Sequence, residues 1–194
     1  MRQVWMNLEA FWDYCREDTI DALLRLLLTS NGAVVRHLSA LTLGSIGLTI
    51  ESQCEILIND DLSEKLEIPK GEKGFERRIW LTGGNALPEK DPLGNEEKKW
   101  LHAVSIFPIS RLKPDLYQEM RLGEKPLGRI IEEKQLPTYR DLLEISRLPF
   151  PEIAKGLGLS EDMLFWARRY RLTILDQPGI ICEVFSPRLS SSLS

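Results

Sequence analysis

The chain has 194 residues, 43% of them hydrophobic, and a formal net charge of -4. A chain of this length buries one good core, so we expect a single domain over residues 1–194, with a disordered tail over residues 189–194. The acidic balance, with a sequence pI of about 5.4, argues against a general nucleic-acid-binding protein, which would present a basic face.

The sequence also argues against a membrane protein, a secreted protein and a metal-binding protein. No apolar run approaches the ~20 residues of a membrane span, and acidic residues interrupt the N-terminus where a signal peptide needs an apolar core. Cys15, Cys54 and Cys182 are isolated, which suits a reducing compartment. His37 and His102 are the only histidines, and His102 lies among apolar neighbours as a core residue would. We therefore expect a cytoplasmic protein without a metal site, a membrane span or a nucleic-acid partner.

The first predicted elements are two helices. Apolar residues recur at helical spacing in IDALLRLLL (20–28), and AVVRHLSALT (33–42) follows after a break at TSNG. The pair fits an αα-hairpin packed on a sheet or a helix-turn-helix. The second helix carries only Arg36 and His37 as basic candidates, which argues against DNA recognition.

Strand-like segments separated by polar connections follow the two helices. They are SIGLTIESQCEILIN (45–59), FERRIWLT (75–82), KKWLHAVSIFP (98–108), LPTYRDLLEISRLP (136–149) and a closing hairpin within 164–187. Residues 60–74 predict a loop, 83–97 a long polar turn, 113–135 two short helices, and 150–162 a short helix and turn. About six antiparallel strands with inserted helices indicate an α+β fold with a single antiparallel sheet.

The closing hairpin carries a carboxylate among apolar residues. Residues 176–179 (DQPG) predict its turn, and the strand that follows places Glu183 on the same face as Ile181 and Phe185. A carboxylate on such a strand must be paired or protonated, because a bare buried charge costs several kcal/mol or more. The residues alone leave two interpretations open: a structural salt bridge to Arg169 or Arg171 across the hairpin, or a functional acid.

Two other places put polar groups where core residues are expected. Arg77 shares a strand face with Ile79 and Leu81. A guanidinium on that face is expected to bind a carboxylate. The alternative is that Arg77 is an exposed strand end. GEKPLGR (123–129) has glycine on either side of a proline-initiated turn, and its N–H groups suit an anion near a helix start, unless it is an ordinary connector. Together these features predict a pocket for an anionic small molecule.

Five motifs occur in an order that resembles the chorismate pyruvate-lyase (4-hydroxybenzoate synthase) family. They are RRIWL, WLHAVSIFP, LGEKPLGRII, ARRYRL and ICEVFSP, and TSNGAVVRHLSAL is also similar to the segment after that family's first helix. The resemblance covers roughly residues 26–187. It implies a single antiparallel sheet with helical flaps over a buried ligand. It also implies a cofactor-independent enzyme, expected to be a monomer, that converts chorismate to 4-hydroxybenzoate and pyruvate towards a ubiquinone or plastoquinone head group.

The resemblance also implies roles for individual residues. Arg77 would hold the ring carboxylate and Glu183 would lie near the ring hydroxyl, so these two are the expected catalytic residues. Leu127 and Gly128 of the PLG motif, and Ala33 in the flap before the second helix, would offer backbone groups to the ligand. No metal or organic cofactor is expected.

The chain departs from the family pattern at Val104. Some members carry an arginine there, in the strand before the proline of the second motif. Arg169 or Arg171 on the adjacent hairpin is expected to replace this cation in binding the acidic ligand. If neither does, we expect a slower site or a different ligand.

A second function suits the same fold. Ligand-sensing domains of some bacterial transcription regulators resemble it and bind small metabolites without catalysis. Those domains normally follow a separate winged-helix domain, and the residues before Ser45 are too few and too acidic to supply one. Arg77 and Glu183, both retained, favour the enzyme.

Overall fold

A six-stranded antiparallel sheet organises the chain. The computed structural model describes residues 5–18, 20–83 and 98–191. The strands are β1 Ile46–Leu57, β2 Lys73–Gly83, β3 Lys99–Pro108, β4 Thr138–Pro149, β5 Leu164–Ile174 and β6 Gln177–Phe185. Their order across the sheet is β1-β2-β3-β6-β5-β4, and every neighbouring pair is antiparallel. The α+β fold expected from the sequence is confirmed.

The described residues also form eight α-helices, which cover the sheet. They are α1 Leu8–Glu17, α2 Ala22–Thr29, α3 Val34–Thr42, α4 Asp60–Leu66, α5 Pro114–Leu122, α6 Leu127–Glu133, α7 Pro151–Gly156 and α8 Arg188–Ser191. The α2–α3 pair is an αα-hairpin packed on the sheet, with Leu24, Leu27 and Leu28 of α2 buried. None of these helices is long and apolar enough to cross a membrane.

Side chains alternate between two covered faces of the sheet. On the inner face, Ile79, Leu81 and Phe185 pack with α2 and α3, and a second cluster joins the other end of the sheet to α5 and α6. On the outer face, Trp80 and Val184 pack against α7, and a smaller cluster lies against α4. The two charged candidates, Arg77 and Glu183, belong to the inner face.

Two connections differ from the sequence-based expectation. Residues 60–66, predicted as loop, form α4, because the side chain of Asn59 caps the helix by accepting a hydrogen bond from the N–H of Leu62. The hairpin turn consists of Leu175 and Asp176, both with positive φ (51° and 65°), so Gln177 already belongs to β6. Two residues with positive φ make the tight turn that matches strand twist.

The C-terminus also differs. A disordered tail is expected from residue 189, but residues 188–191 form α8, and Leu189 is fully buried in the core cluster that contains α2. The polar turn is predicted over 83–97, but Gly83 ends β2. Residues 84–97 and 192–194 lie outside the described residues.

Gly179 is required in β6 by the ring of Phe107. A Cβ at position 179 would clash with that ring, which is fully buried. We expect Gly179→Ala to lower the free energy of unfolding by about 1–3 kcal/mol, because a packed core resists added volume. Gly47→Ala in β1 is the control, since a Cβ there meets nothing within 4 Å. Equal losses at both positions in urea denaturation would contradict this explanation.

Candidate active site

A cavity of about 70 Å³ lies between the inner face of the sheet and the N-terminal ends of α3 and α6. Three charged side chains line it: Arg77 from β2, Arg140 from β4 and Glu183 from β6. The other lining residues are Ala33, Val34, Val35, Ile79, Leu81, Ala103, Ser105, Pro126, Leu127, Gly128, Ile131, Tyr170, Leu172 and Ile181. A mostly apolar cavity with a few charged groups is typical of a site for a small charged molecule.

Two helix starts meet at this cavity. Ala33 is the N-cap of α3, and Leu127 and Gly128 begin α6. The helices approach closely, because a Cβ at Gly128 would lie 3.5 Å from the Cβ of Ala33. N–H groups in a first helical turn have no intrahelical acceptor and carry partial positive charge. The backbone positions implied by the resemblance therefore lie at the same cavity as Arg77 and Glu183.

Arg77 is a buried guanidinium that has no carboxylate partner in the described part of the chain. It is 2% exposed, and its Nη2 donates to the carbonyl oxygen of Lys125 at 3.1 Å. Its Nε is buried and has no hydrogen-bond partner among the described residues. Burial lowers the pKa of Arg77 to about 10, so the group stays protonated at neutral pH. A buried cation with a donor to spare indicates an anionic ligand.

Glu183 belongs to a buried hydrogen-bonded network. Its Oε2 accepts from Nε of Arg168 at 2.5 Å, and its Oε1 accepts from the hydroxyl of Tyr170 at 3.2 Å. Nη1 of Arg168 also donates to the carbonyl oxygens of Leu27 and Ser30, at 2.6 and 2.7 Å. Glu183 thus holds the guanidinium that binds the C-terminal end of α2. A salt bridge across the hairpin exists, but the expectation that Arg169 or Arg171 supplies it is wrong.

Burial and charge set the protonation of the groups around Glu183. Burial raises the pKa of the Tyr170 hydroxyl and the nearby Glu183 raises it further, so Tyr170 remains a hydrogen-bond donor at neutral pH. Burial opposes the charged form of Arg168, but the attraction of Glu183 outweighs it and the pKa of Arg168 is raised. Among the described residues, no three His, Cys, Asp or Glu side chains are grouped as a metal site requires.

Arg169, expected among the ligand-binding residues, does not reach the cavity. Strand alternation places it on the outer face, where its Nε donates to Glu144 at 2.5 Å and its guanidinium lies 4.5 Å from the ring of Trp5. Arg171 is also on the outer face with a carboxylate partner of its own. The expectation that Arg169 or Arg171 replaces the family arginine at Val104 is therefore wrong. Val104 itself faces outward, so an arginine at that position would not enter the cavity.

Arg140 is a cavity residue that the sequence analysis missed. It pairs with Leu172 in the β4–β5 register, and its guanidinium lies 5.8 Å from the ring of Tyr170. Its Nη1 donates to the carbonyl oxygen of Asn31 at 2.8 Å. Its neighbour Asp141 pairs with Arg171 on the outer face, so strand alternation places Arg140 on the inner face. That pairing joins two distant parts of the chain and left no signal in the local sequence.

The structure places His102 in the core of the outer face. It is 2% exposed, and its Nε2 lies 2.9 Å from Oε2 of Glu51. The other carboxylate oxygen of Glu51, Oε1, accepts a hydrogen bond from the indole N–H of Trp80. Burial lowers the pKa of His102, although Glu51 opposes this shift. His102 is thus separated by the sheet from the cavity that contains Arg77 and Glu183.

Stability should fall in mildly acidic solution because of His102. Its folded pKa lies below the value of about 6.5 for free histidine, so the unfolded chain binds the proton more readily. The stabilisation is complete above that value and is lost as the pH falls through the folded pKa. We expect the free energy of unfolding to decrease between about pH 7 and about pH 5, and to do so less steeply in His102→Gln. The pKa of His37 is lowered too, so His37 also contributes to the pH dependence of stability. The variant His37→Gln measures that contribution separately. An unchanged slope in His102→Gln would contradict this prediction.

Comparisons with known proteins show the family of the chain. The model of the chorismate pyruvate-lyase Rv2949c-like family matches residues 28–193. A probable chorismate pyruvate-lyase of Halorhodospira halophila is 30% identical over 167 residues, covering 83% of this chain and 80% of the relative. One from Pseudomonas aeruginosa is 25% identical over 165 residues, covering 84% and 82%.

The crystal structure of PhnF from Mycobacterium smegmatis shares the fold alone. Its TM-score is 0.58 at 14% identity, with 95% of this chain and 88% of that chain covered. The family match spans most of the chain and includes every residue of the cavity. This chain therefore belongs to the chorismate pyruvate-lyase Rv2949c-like family.

Proposed function

We propose that the protein is a chorismate pyruvate-lyase, which converts chorismate into 4-hydroxybenzoate and pyruvate in the cavity beneath α3 and α6. The observation that carries the proposal is Arg77, a buried cation at this cavity with no carboxylate partner among the described residues. The ring carboxylate of chorismate is the complementary anion, because a guanidinium binds a carboxylate through two parallel hydrogen bonds.

The register supports one orientation of the ligand. Arg77 on β2 and Glu183 on β6 flank the central strand β3, so their backbones are separated by roughly 10 Å across the sheet. With the ring carboxylate at Arg77 and the first-turn amides of Leu127 and Gly128, the ring hydroxyl points towards Glu183. The backbone near Ala33 contacts the ligand from the opposite helix. The small lining residues Ala103 and Ser105 leave room for a ring over β3.

The reaction is an elimination that makes the ring aromatic. The ether C–O bond breaks, and its electron pair leaves with the enolpyruvyl oxygen. The ring carbon that bears the hydroxyl loses its hydrogen as a proton, and the methylene carbon of the released enolpyruvate gains a proton to form pyruvate. Atoms and electrons balance without added water or an oxidant. Because aromaticity supplies the driving force, the protein mainly holds one conformer, excludes water and stabilises the charge that moves.

Glu183 orients the ring hydroxyl and takes part in the proton transfer. Arg168 and Tyr170 each hold one of its carboxylate oxygens, so the group is fixed before the ligand arrives. Such preorganisation lowers the cost of arranging charge at the moment of reaction. The proposed product suits the start of a quinone head group. That the protein acts in the cytoplasm and as a monomer stays a prediction.

Incubation with chorismate tests the proposed function. 4-Hydroxybenzoate is followed by chromatography, and pyruvate is measured by coupling to lactate dehydrogenase. Equal amounts of the two products are expected from the wild-type protein, with both lost in Arg77→Met. Tight binding of 4-hydroxybenzoate without turnover would overturn the enzyme in favour of a ligand sensor. Neither turnover nor binding would overturn both functions and leave only the fold.

A further inference from the structure

We propose that Arg140 binds the second carboxylate of chorismate, on the enolpyruvyl group, and so makes the cavity prefer a dicarboxylate to its monocarboxylate product. This inference rests on the proposed function. It adds to that function a specificity-determining residue on β4, at the edge of the sheet far from Arg77.

The pairing of the strand arginines singles out Arg140. Seven arginines lie on the described strands: Arg77, Arg78, Arg140, Arg147, Arg168, Arg169 and Arg171. Five of them have a carboxylate oxygen within 4.0 Å, from Glu76, Asp18, Glu183, Glu144 and Asp141 respectively for Arg78, Arg147, Arg168, Arg169 and Arg171. Within the described residues only Arg77 and Arg140 lack one, and both line the cavity. The sheet therefore keeps two cations for something other than its own carboxylates.

The charged side chains that line the cavity leave a net positive charge. Glu183 is the third charged lining residue, and the buried guanidinium of Arg168 already offsets it. The charges of Arg77 and Arg140 then remain. Two like charges beside a low-dielectric cavity repel one another, and a ligand with two negative charges offsets both. A monocarboxylate offsets only one.

Arg140 has donors suited to a second carboxylate. Its Nη1 is engaged by the carbonyl oxygen of Asn31, which holds the side chain in place, and its Nε is buried with no hydrogen-bond partner in the described part of the chain. Arg77 shows the same combination of one backbone contact and an unused Nε. Both guanidinium groups are thus anchored, yet each keeps a donor free. The two carboxylates of chorismate, on the ring and on the enolpyruvyl group, match two such cations that enter the cavity from different strands.

The consequence is a difference between substrate and product. Once the ether bond has broken, the second carboxylate belongs to pyruvate and is no longer tied to the ring. 4-Hydroxybenzoate then keeps its contact with Arg77 and has none to make with Arg140. Removing the charge of Arg140 should therefore weaken the binding of chorismate but not that of 4-hydroxybenzoate. Removing the charge of Arg77 should weaken the binding of both.

Kinetics and calorimetry with Arg140→Met test the inference. We expect KM for chorismate to rise by about 10- to 100-fold, the loss of a charged hydrogen bond, while the Kd of 4-hydroxybenzoate from titration calorimetry changes by less than about 3-fold. Arg140→Lys should recover part of the loss in KM. Arg147→Met is the matched control on the same strand, because its partner Asp18 lies outside the cavity, and we expect it to leave both values unchanged.

The outcomes separate this inference from the proposed function. A wild-type protein that turns chorismate over, with KM unchanged in Arg140→Met, would overturn the role of Arg140 alone. Equal weakening of chorismate and 4-hydroxybenzoate in Arg140→Met would also overturn it, because a structural role of the bond to Asn31 would act on both ligands. A wild-type protein that neither turns over chorismate nor binds 4-hydroxybenzoate would overturn the proposed function and this inference together.

Discussion

Arg77→Met should reduce chorismate turnover by about 100- to 1,000-fold and leave the fold as stable as that of the wild-type protein, within about 1 kcal/mol. The loss of activity follows because Arg77 is the proposed partner of the ring carboxylate. Stability is retained because the side chain of Arg77 contributes little to the free energy of unfolding. Its one protein hydrogen bond goes to Lys125, and its buried charge has no carboxylate partner in the described residues. Replacing a buried, unpaired charge with an apolar side chain of similar length offsets the lost bond.

Arg78→Met is the control for Arg77→Met. Arg78 is the next residue on β2, faces the outer side of the sheet and pairs with Glu76 at 2.7 Å. Turnover in this variant should stay near that of the wild-type protein. Urea denaturation of both variants provides the comparison. An Arg77→Met protein that is inactive only because it has unfolded would contradict the ligand-binding role.

Glu183→Ala should destabilise the protein by about 3–5 kcal/mol in addition to stopping turnover. Removing this carboxylate leaves the guanidinium of Arg168, which is 1% exposed, without its counter-ion. The two carbonyl oxygens that Arg168 also contacts, on Leu27 and Ser30, cannot replace a charge. Glu183→Gln should cost less stability, because the amide oxygen can still accept from Arg168, and should still cost most of the turnover.

A double variant separates the structural and the functional parts of this pair. Arg168→Met combined with Glu183→Leu removes both charges, and we expect its stability to return to within about 2 kcal/mol of the wild-type value. Its turnover should stay lost, because the acceptor for the ring hydroxyl is gone. Strictly additive losses in free energy of unfolding would show that the two residues do not act as a pair.

Alternation along each strand was sufficient to predict which face of the sheet these side chains occupy. Alternation with period two placed Arg77 beside Ile79, and Glu183 beside Ile181, on one covered face, and the structure agrees. The partner of Glu183 depends instead on the hairpin register, which the turn fixes. A turn at 176–179 would place Leu172 opposite Glu183, whereas the observed turn at Leu175 and Asp176 places Arg168 there.

The sequence could not reveal Arg140, because long-range pairing placed it at the cavity. It lies on β4, one of the two edge strands, whose register with β5 shifts between Asp141 and Glu144. Gly179 misled in a different way. Next to Pro178 it has the composition of a turn, but it stands in β6 because only glycine fits against Phe107. Both cases depend on residues that are far away in the sequence.

A crystal structure with bound 4-hydroxybenzoate tests the assignment of the cavity most directly. We expect the ring carboxylate to accept hydrogen bonds from Arg77 and from the first-turn amides of α6, with the hydroxyl against Glu183 and no ligand atom at Arg140. A ligand bound in the reverse orientation, or on the outer face beside His102, would contradict the proposed site.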